Sequence, residues 1–127
     1  MTIKNSRVGL KIVLVEDNPE TRSVIASMAR ALGHSVVDFE NAEAALDYLA
    51  AEPVEVLVAD MRLPGMSGEI FAVEARALYP NLGIVFVTGA GAFASQVDDG
   101  TTTVLLCKPF GLQDLERALA SVTATLG

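Results

Sequence analysis

Glu16, Asp17, Asp60, Thr88 and Lys108 are the side chains of this sequence that could do chemistry together, because each stands at the carboxyl end of a short apolar run. Three carboxylates brought to one sheet edge repel one another, so a positive group belongs among them, either a divalent cation or the Lys108 ammonium. An all-oxygen ligand set suits magnesium, which keeps several waters and takes one or two carboxylates plus phosphate oxygens. A cation, a lysine and a threonine hydroxyl are furnished to hold a phosphoryl group and neutralise its charge. Asp60, central and without an adjacent acid, is the candidate nucleophile, and its attack on phosphorus would form an acyl phosphate. Each residue also has a plainer role open to it. Glu16 and Asp17 can cap the next helix, Asp60 can cap its turn, Thr88 can satisfy backbone, and Lys108 can be a surface lysine before a proline. Joint placement at four strand ends favours a shared site, since ligands of open α/β sheets bind outside the carboxyl ends of the strands.

The elements that must position these residues follow from periodicity. Val54 to Gly68 is an almost unbroken apolar run ending in Asp60 and then a loop rich in Pro and Gly, the pattern of a buried parallel strand. From Lys11 onward, apolar runs alternate with helical patterns, which predicts repeated βα units. Strands are predicted at Ile12 to Val15, Ser35 to about Phe39, up to Asp60, Ile84 to Val87 and Thr102 to Leu106. The first helix is predicted after an Asn18 cap with Pro19 in its first turn, carries Val24, Ile25, Met28, Ala29 and Leu32 at helical spacing, and stops at Gly33. Asn41 caps a second helix with an inward stripe of Ala42, Ala45, Leu46 and Leu49, ended by Pro53. Ser67 caps a third that carries Phe71, Ala75 and Leu78 inward and ends at Tyr79-Pro80-Asn81. A brief, weakly patterned helix is expected between Ala92 and Asp99. The last runs from about Leu112 to Leu126, with Leu112, Leu115, Leu119, Val122 and Leu126 on one face. Five βα units of this length imply a doubly wound sheet with right-handed crossovers.

A chain of 127 residues, 51% hydrophobic, is one domain able to bury a core without staples. No apolar run approaches membrane-spanning length. The start is polar and basic and leads straight into the first strand, so a signal peptide is not expected and a cytoplasmic location is the default. A net charge of −7 with no basic stripe argues against a nucleic-acid-binding module. The single cysteine, Cys107, and single histidine, His34, exclude an internal disulfide and disfavour zinc.

From about Lys11 to Leu126 the chain resembles the receiver domain of bacterial two-component response regulators. The resemblance rests on Val-Glu-Asp-Asn at 15 to 18, Asp-Met-Arg-Leu-Pro-Gly-Met-Ser-Gly at 60 to 68, Val-Thr-Gly at 87 to 89 and Lys-Pro-Phe at 108 to 110. It implies a flavodoxin-like, doubly wound α/β fold with a five-stranded parallel sheet of order 2-1-3-4-5 and five helices, the fourth short or frayed. Residues 1–10 then form an N-terminal extension and 11–127 the receiver domain. It further implies that Asp60 is the phosphoacceptor, and that Glu16, Asp17, Asp60 and the backbone carbonyl of Arg62 hold Mg2+. Thr88 is then the switch hydroxyl, Lys108 pairs with the phosphoryl group, and the Lys108–Pro109 bond is cis. The implied partners are a histidine kinase or phosphotransfer protein and a downstream protein, with no nucleic acid and no membrane. A homodimer surface is to be sought at Val104, Leu105 and the apolar last helix.

The chain departs from the family pattern at Leu105, where receivers usually carry Tyr or Phe; a leucine cannot report the switch by an aromatic rotamer exchange. The segment between Thr88 and Gly100 is also shorter than usual. Thr-Gly, a short fourth helix and no aromatic resemble the receivers at the carboxyl ends of hybrid sensor kinases and some stand-alone receivers. The function expected is a phosphorylation-controlled switch, which catalyses only its own phosphotransfer and autodephosphorylation. The alternative is a receiver-fold module used for docking or dimerisation without phosphotransfer. A hydrolase passing through an aspartyl phosphate is disfavoured by Arg62, which stands where such enzymes carry a second acid. A flavin-binding protein is disfavoured by Glu16-Asp17, where a phosphate cradle needs small or hydroxyl residues.

Overall fold

The computed structural model describes residues 9–89 and 102–124. Five strands, β1 (Lys11–Val15), β2 (Ser35–Phe39), β3 (Val56–Asp60), β4 (Gly83–Thr88) and β5 (Thr103–Cys107), form one parallel sheet in the order β2-β1-β3-β4-β5. Four helices are described: α1 (Pro19–Ala31), α2 (Ala42–Ala51), α3 (Gly68–Leu78) and α4 (Leu112–Thr123). The order and the parallel pairing are those expected. The brief helix expected between Ala92 and Asp99 lies outside the described residues, as does Leu126.

Local chemistry starts and stops the helices. The side chains of Asn18, Asn41 and Ser67 accept from the backbone N–H groups of Thr21, Ala44 and Ile70, and Pro19 occupies the first turn of α1. Each such cap contributes about 1 kcal/mol by meeting a donor with no intrahelical partner. Gly33, at φ 97°, ends α1 in the left-handed region that glycine adopts without strain.

Side chains alternate across the sheet and build two cores. Ile12, Leu14, Val56, Val58, Val85 and Val87 face α1 and α4, packing on Ile25, Ala29, Leu115 and Leu119. Val13, Val15, Leu57, Ala59, Ile84 and Phe86 face α2 and α3, packing on Ala45, Leu49, Phe71 and Ala75. A sheet covered on both faces requires strands that are apolar throughout, which is why β3 and β4 read as continuous runs rather than alternating ones. Gly83 lets α4 approach β4, since a β-carbon there would stand 2.7 Å from the Val122 carbonyl oxygen.

Several sequence expectations need correction. Val24, Leu78 and Leu112 keep helical spacing, yet they are 57%, 45% and 44% exposed. Each helix buries a narrower face than its apolar residues span, and in α1 the buried residues are Ile25, Ala26 and Ala29. Leu46 is only half-buried. β5 runs one residue later than predicted because Cys107 pairs opposite Thr88, while the Thr102 carbonyl, just before the strand, accepts from the Ile84 N–H at 2.9 Å. Most of the residues at which a dimer surface was to be sought are covered within the chain itself. Val104 is 8% exposed and Leu115, Leu119 and Val122 are buried, because they cover this chain's own sheet. Leu105 is half-buried against the α2/α3 core. Among the described residues no helix is long and apolar enough to cross a membrane.

Candidate functional site

The sheet order makes β1 and β3 neighbours whose following connections leave in opposite directions, β1 toward β2 and β3 toward β4. That is the switch point at which a crevice opens beyond the strand ends. Val15 pairs with Ala59, so Glu16, one residue past β1, lies beside Asp60, the last residue of β3. On the other side Asp60 pairs with Val87, Thr88 pairs with Cys107, and the Lys108 N–H donates to the Thr88 carbonyl at 2.7 Å. Register alone therefore lines up the four strand ends.

Lys108 closes the site. Its Nζ lies 3.0 Å from Asp60 Oδ2 and 3.1 Å from Glu16 Oε1, bridging two carboxylates. The second oxygen of each accepts from backbone: Glu16 Oε2 from the Asn18 N–H at 3.1 Å, and Asp60 Oδ1 from the Arg62 N–H at 2.8 Å. Both carboxylates are thus held at two points, which fixes their planes. Asp17 is exposed beside them, and one oxygen from each of Glu16, Asp17 and Asp60 lies within 4.8 Å of the others. The Lys108–Pro109 bond is cis, as the resemblance implied, and Thr88 is buried at the end of β4.

The electrostatics leave room for more positive charge. Burial is the main cause that raises the Glu16 carboxyl above its ordinary range, and Asp60 adds to it, against the lowering by the Asn18 N–H and Lys108. Burial works to lower Lys108, but its hydrogen bonds to Asp60 and Glu16 and their charges outweigh this, and its pKa rises. Lys108 therefore stays an ammonium. When all three acids are ionised, one ammonium leaves two negative charges uncompensated, which a divalent cation would balance. The donors are all carboxylate oxygens at mutual distances one ion can span, so the residues present fit magnesium.

All the acids and the lysine singled out from sequence converge here. Arg62 is exposed, with its N–H on Asp60. Two residues of the site were not anticipated. Arg22 Nη1 donates to the Glu16 carbonyl at 2.9 Å, and a β-carbon on Gly68 would stand 2.5 Å from the Asp60 carbonyl oxygen. The signal for Arg22 was an arginine in the first turns of the helix that follows the acid pair; that for Gly68 was a glycine immediately after the Ser67 cap.

A family model for the response regulator receiver domain matches residues 12–120. The chain is 34% identical over 107 residues to the response regulator receiver protein CpdR of Brucella abortus, covering 83% of this chain and 89% of that one. It is 34% identical over 103 residues to the response regulator protein FleR of Pseudomonas aeruginosa, covering 79% of this chain but 22% of FleR. Among solved structures, the receiver domain of a sensor histidine kinase from Pseudomonas aeruginosa superposes with a TM-score of 0.81 at 28% identity, over 93% of this chain and 100% of that one. That structure holds a magnesium ion coordinated in its active-site cleft.

Proposed function

The chain belongs to the response regulator receiver domain family, and from that membership we propose that it is a phosphorylation-controlled switch with Asp60 as phosphoacceptor. The donor is a phosphohistidine on a histidine kinase or phosphotransfer protein. An Asp60 carboxylate oxygen attacks phosphorus, the phosphorus–nitrogen bond breaks, and the imidazole keeps the electron pair and takes up a proton, leaving an aspartyl phosphate. Glu16, Asp17 and Asp60, with the Arg62 carbonyl, would hold Mg2+, which when bound neutralises charge on the phosphoryl oxygens. Lys108 keeps its proton and pairs with the same oxygens, while the Thr88 hydroxyl donates to one of them. Phosphorylation then shifts a two-state equilibrium, and the changed surface engages a downstream protein in the cytoplasm.

The observation that carries this reading is the Lys108 bridge, 3.0 Å from Asp60 and 3.1 Å from Glu16. A cation already seated on the nucleophile and on a neighbouring acid marks where developing negative charge would be received. The test is intact mass spectrometry after incubation with acetyl phosphate, with and without magnesium, on the wild type and Asp60→Asn. A magnesium-dependent gain of one phosphoryl group, absent in the variant, is expected. No gain under any condition would overturn the phosphoacceptor assignment and leave the docking-module reading.

A further inference from the structure

We propose that Arg22 is a positioning residue for magnesium binding: it holds the β1–α1 loop so that Asp17 faces the same ion as Glu16 and Asp60. This rests on the proposed function of the site and adds a residue to it. Arg22 Nη1 donates to the Glu16 carbonyl at 2.9 Å, and its Nε lies 3.6 Å from Asp38 Oδ2 on β2. The Glu16 N–H donates to the Phe39 carbonyl at the end of β2 at 3.1 Å, and the Asn18 N–H donates to Glu16 Oε2 at 3.1 Å. Asp17 is the exposed residue between these two anchored neighbours.

The peptide unit explains how a guanidinium that touches only a carbonyl can aim the next side chain. The Glu16 carbonyl oxygen and the nitrogen and Cα of Asp17 lie in one rigid plane. Holding the oxygen holds the start of Asp17. Two effects of opposite sign compete when Arg22 is removed. Loss of a nearby positive charge favours a cation, and loss of the tether disfavours it. The charge effect is small, because Asp38 stands against Arg22 and the pair is partly exposed, at 21% and 38%. Residues that orient metal ligands without touching the metal change affinity by about 10- to 100-fold, so the tether decides the sign.

The experiment is a Mg2+ titration of the full chain, followed by the backbone amide shifts of Asp17 and Asn18, alongside urea unfolding without metal. Arg22→Gln is expected to weaken magnesium binding about tenfold. Asp38→Asn, which removes only the outer contact, should weaken it by less than about fivefold. Arg22→Lys should fall between, since one ammonium cannot serve both the carbonyl and Asp38 as a planar fork does. Arg30→Gln should change nothing, because Arg30 bonds the Val36 carbonyl, away from the acid loop. A folded Arg22→Gln that binds magnesium as tightly as the wild type, or more tightly, overturns the role of Arg22 alone. Should Arg22→Gln fail to fold, Arg22→Lys decides, and unchanged affinity there overturns the proposal. A wild type that shows no magnesium response overturns the site reading itself, and this inference with it.

Discussion

Gly68 sits under Asp60 so closely that a β-carbon on it would meet the Asp60 carbonyl oxygen at 2.5 Å and the Met61 Cα at 2.8 Å. The Gly68 N–H donates to the Met61 carbonyl at 3.0 Å, drawing the start of α3 against the end of β3. Both atoms a side chain would strike are backbone and cannot rotate away. Gly68→Ala is therefore expected to lose about 1–3 kcal/mol of stability through overpacking and to displace Asp60 from Lys108. Urea unfolding and phosphorylation by acetyl phosphate would check this; an unchanged midpoint would contradict the close approach.

Lys108 and a cation would draw on the same two carboxylates, Glu16 and Asp60, so removing the lysine should have two opposite effects. Without metal, Lys108→Met leaves the buried Glu16 carboxylate without its ammonium partner, and a loss of about 1–3 kcal/mol is expected. Magnesium affinity should rise, since the ion no longer meets a second positive charge beside the same carboxylates. Calorimetric titration of the variant decides the second point, and weaker binding would count against competition.

Magnesium should stabilise the fold by mass action. At a hundred times its dissociation constant, an ion that binds only the folded chain adds about 2.7 kcal/mol. Asp17→Asn and Asp60→Asn should each lose most of that gain, because each removes one of three converging carboxylates. Thermal melts with magnesium and with a chelator read this directly. A magnesium-induced rise in both variants as large as that of the wild type would exclude the acid cluster as the binding site.

His34 should make stability fall in mild acid. It is 8% exposed, and its Nδ1 accepts from the Leu10 N–H at 3.2 Å, which requires the neutral ring. Burial lowers its pKa below the ordinary 6.5, against the smaller raising effects of Glu55 and Glu116. The unfolded chain therefore binds the proton more readily than the folded one. The contribution is fully present above 6.5 and is lost as pH falls below that value. Glu16, with its pKa raised, acts in the opposite sense around its own range, so the His34 effect is read as a difference. Between pH 7.5 and pH 5.5 the wild type should lose more stability than His34→Gln, whose amide oxygen can still accept from Leu10. Parallel losses would remove the assignment to His34.

Much of the fold was legible in sequence because its causes are local. Asn18, Asn41 and Ser67 cap helices through donors three residues away, and Gly33 ends α1 in its own backbone conformation. Continuous apolar runs marked the buried strands, and their ends marked Glu16, Asp60 and Thr88. The faces of the helices were less legible. Apolar residues at helical spacing outline an arc, but neighbouring elements decide how much of it is covered, and Val24, Leu78 and Leu112 fell outside.

Which residues stand at strand ends, and through the motifs at 15 to 18, 60 to 68 and 108 to 110 the family, can be read along the chain. Folding in three dimensions brings Lys108 across 48 positions to Asp60 and 92 to Glu16, buries Glu16 while leaving adjacent Asp17 exposed, and seats Arg22 on the Glu16 carbonyl between β1 and α1. The difference is one of range. Caps, turns and periodicity act over a few residues and are written along the chain, whereas the meeting of distant charges depends on strand order and register, which belong to the sheet as a whole.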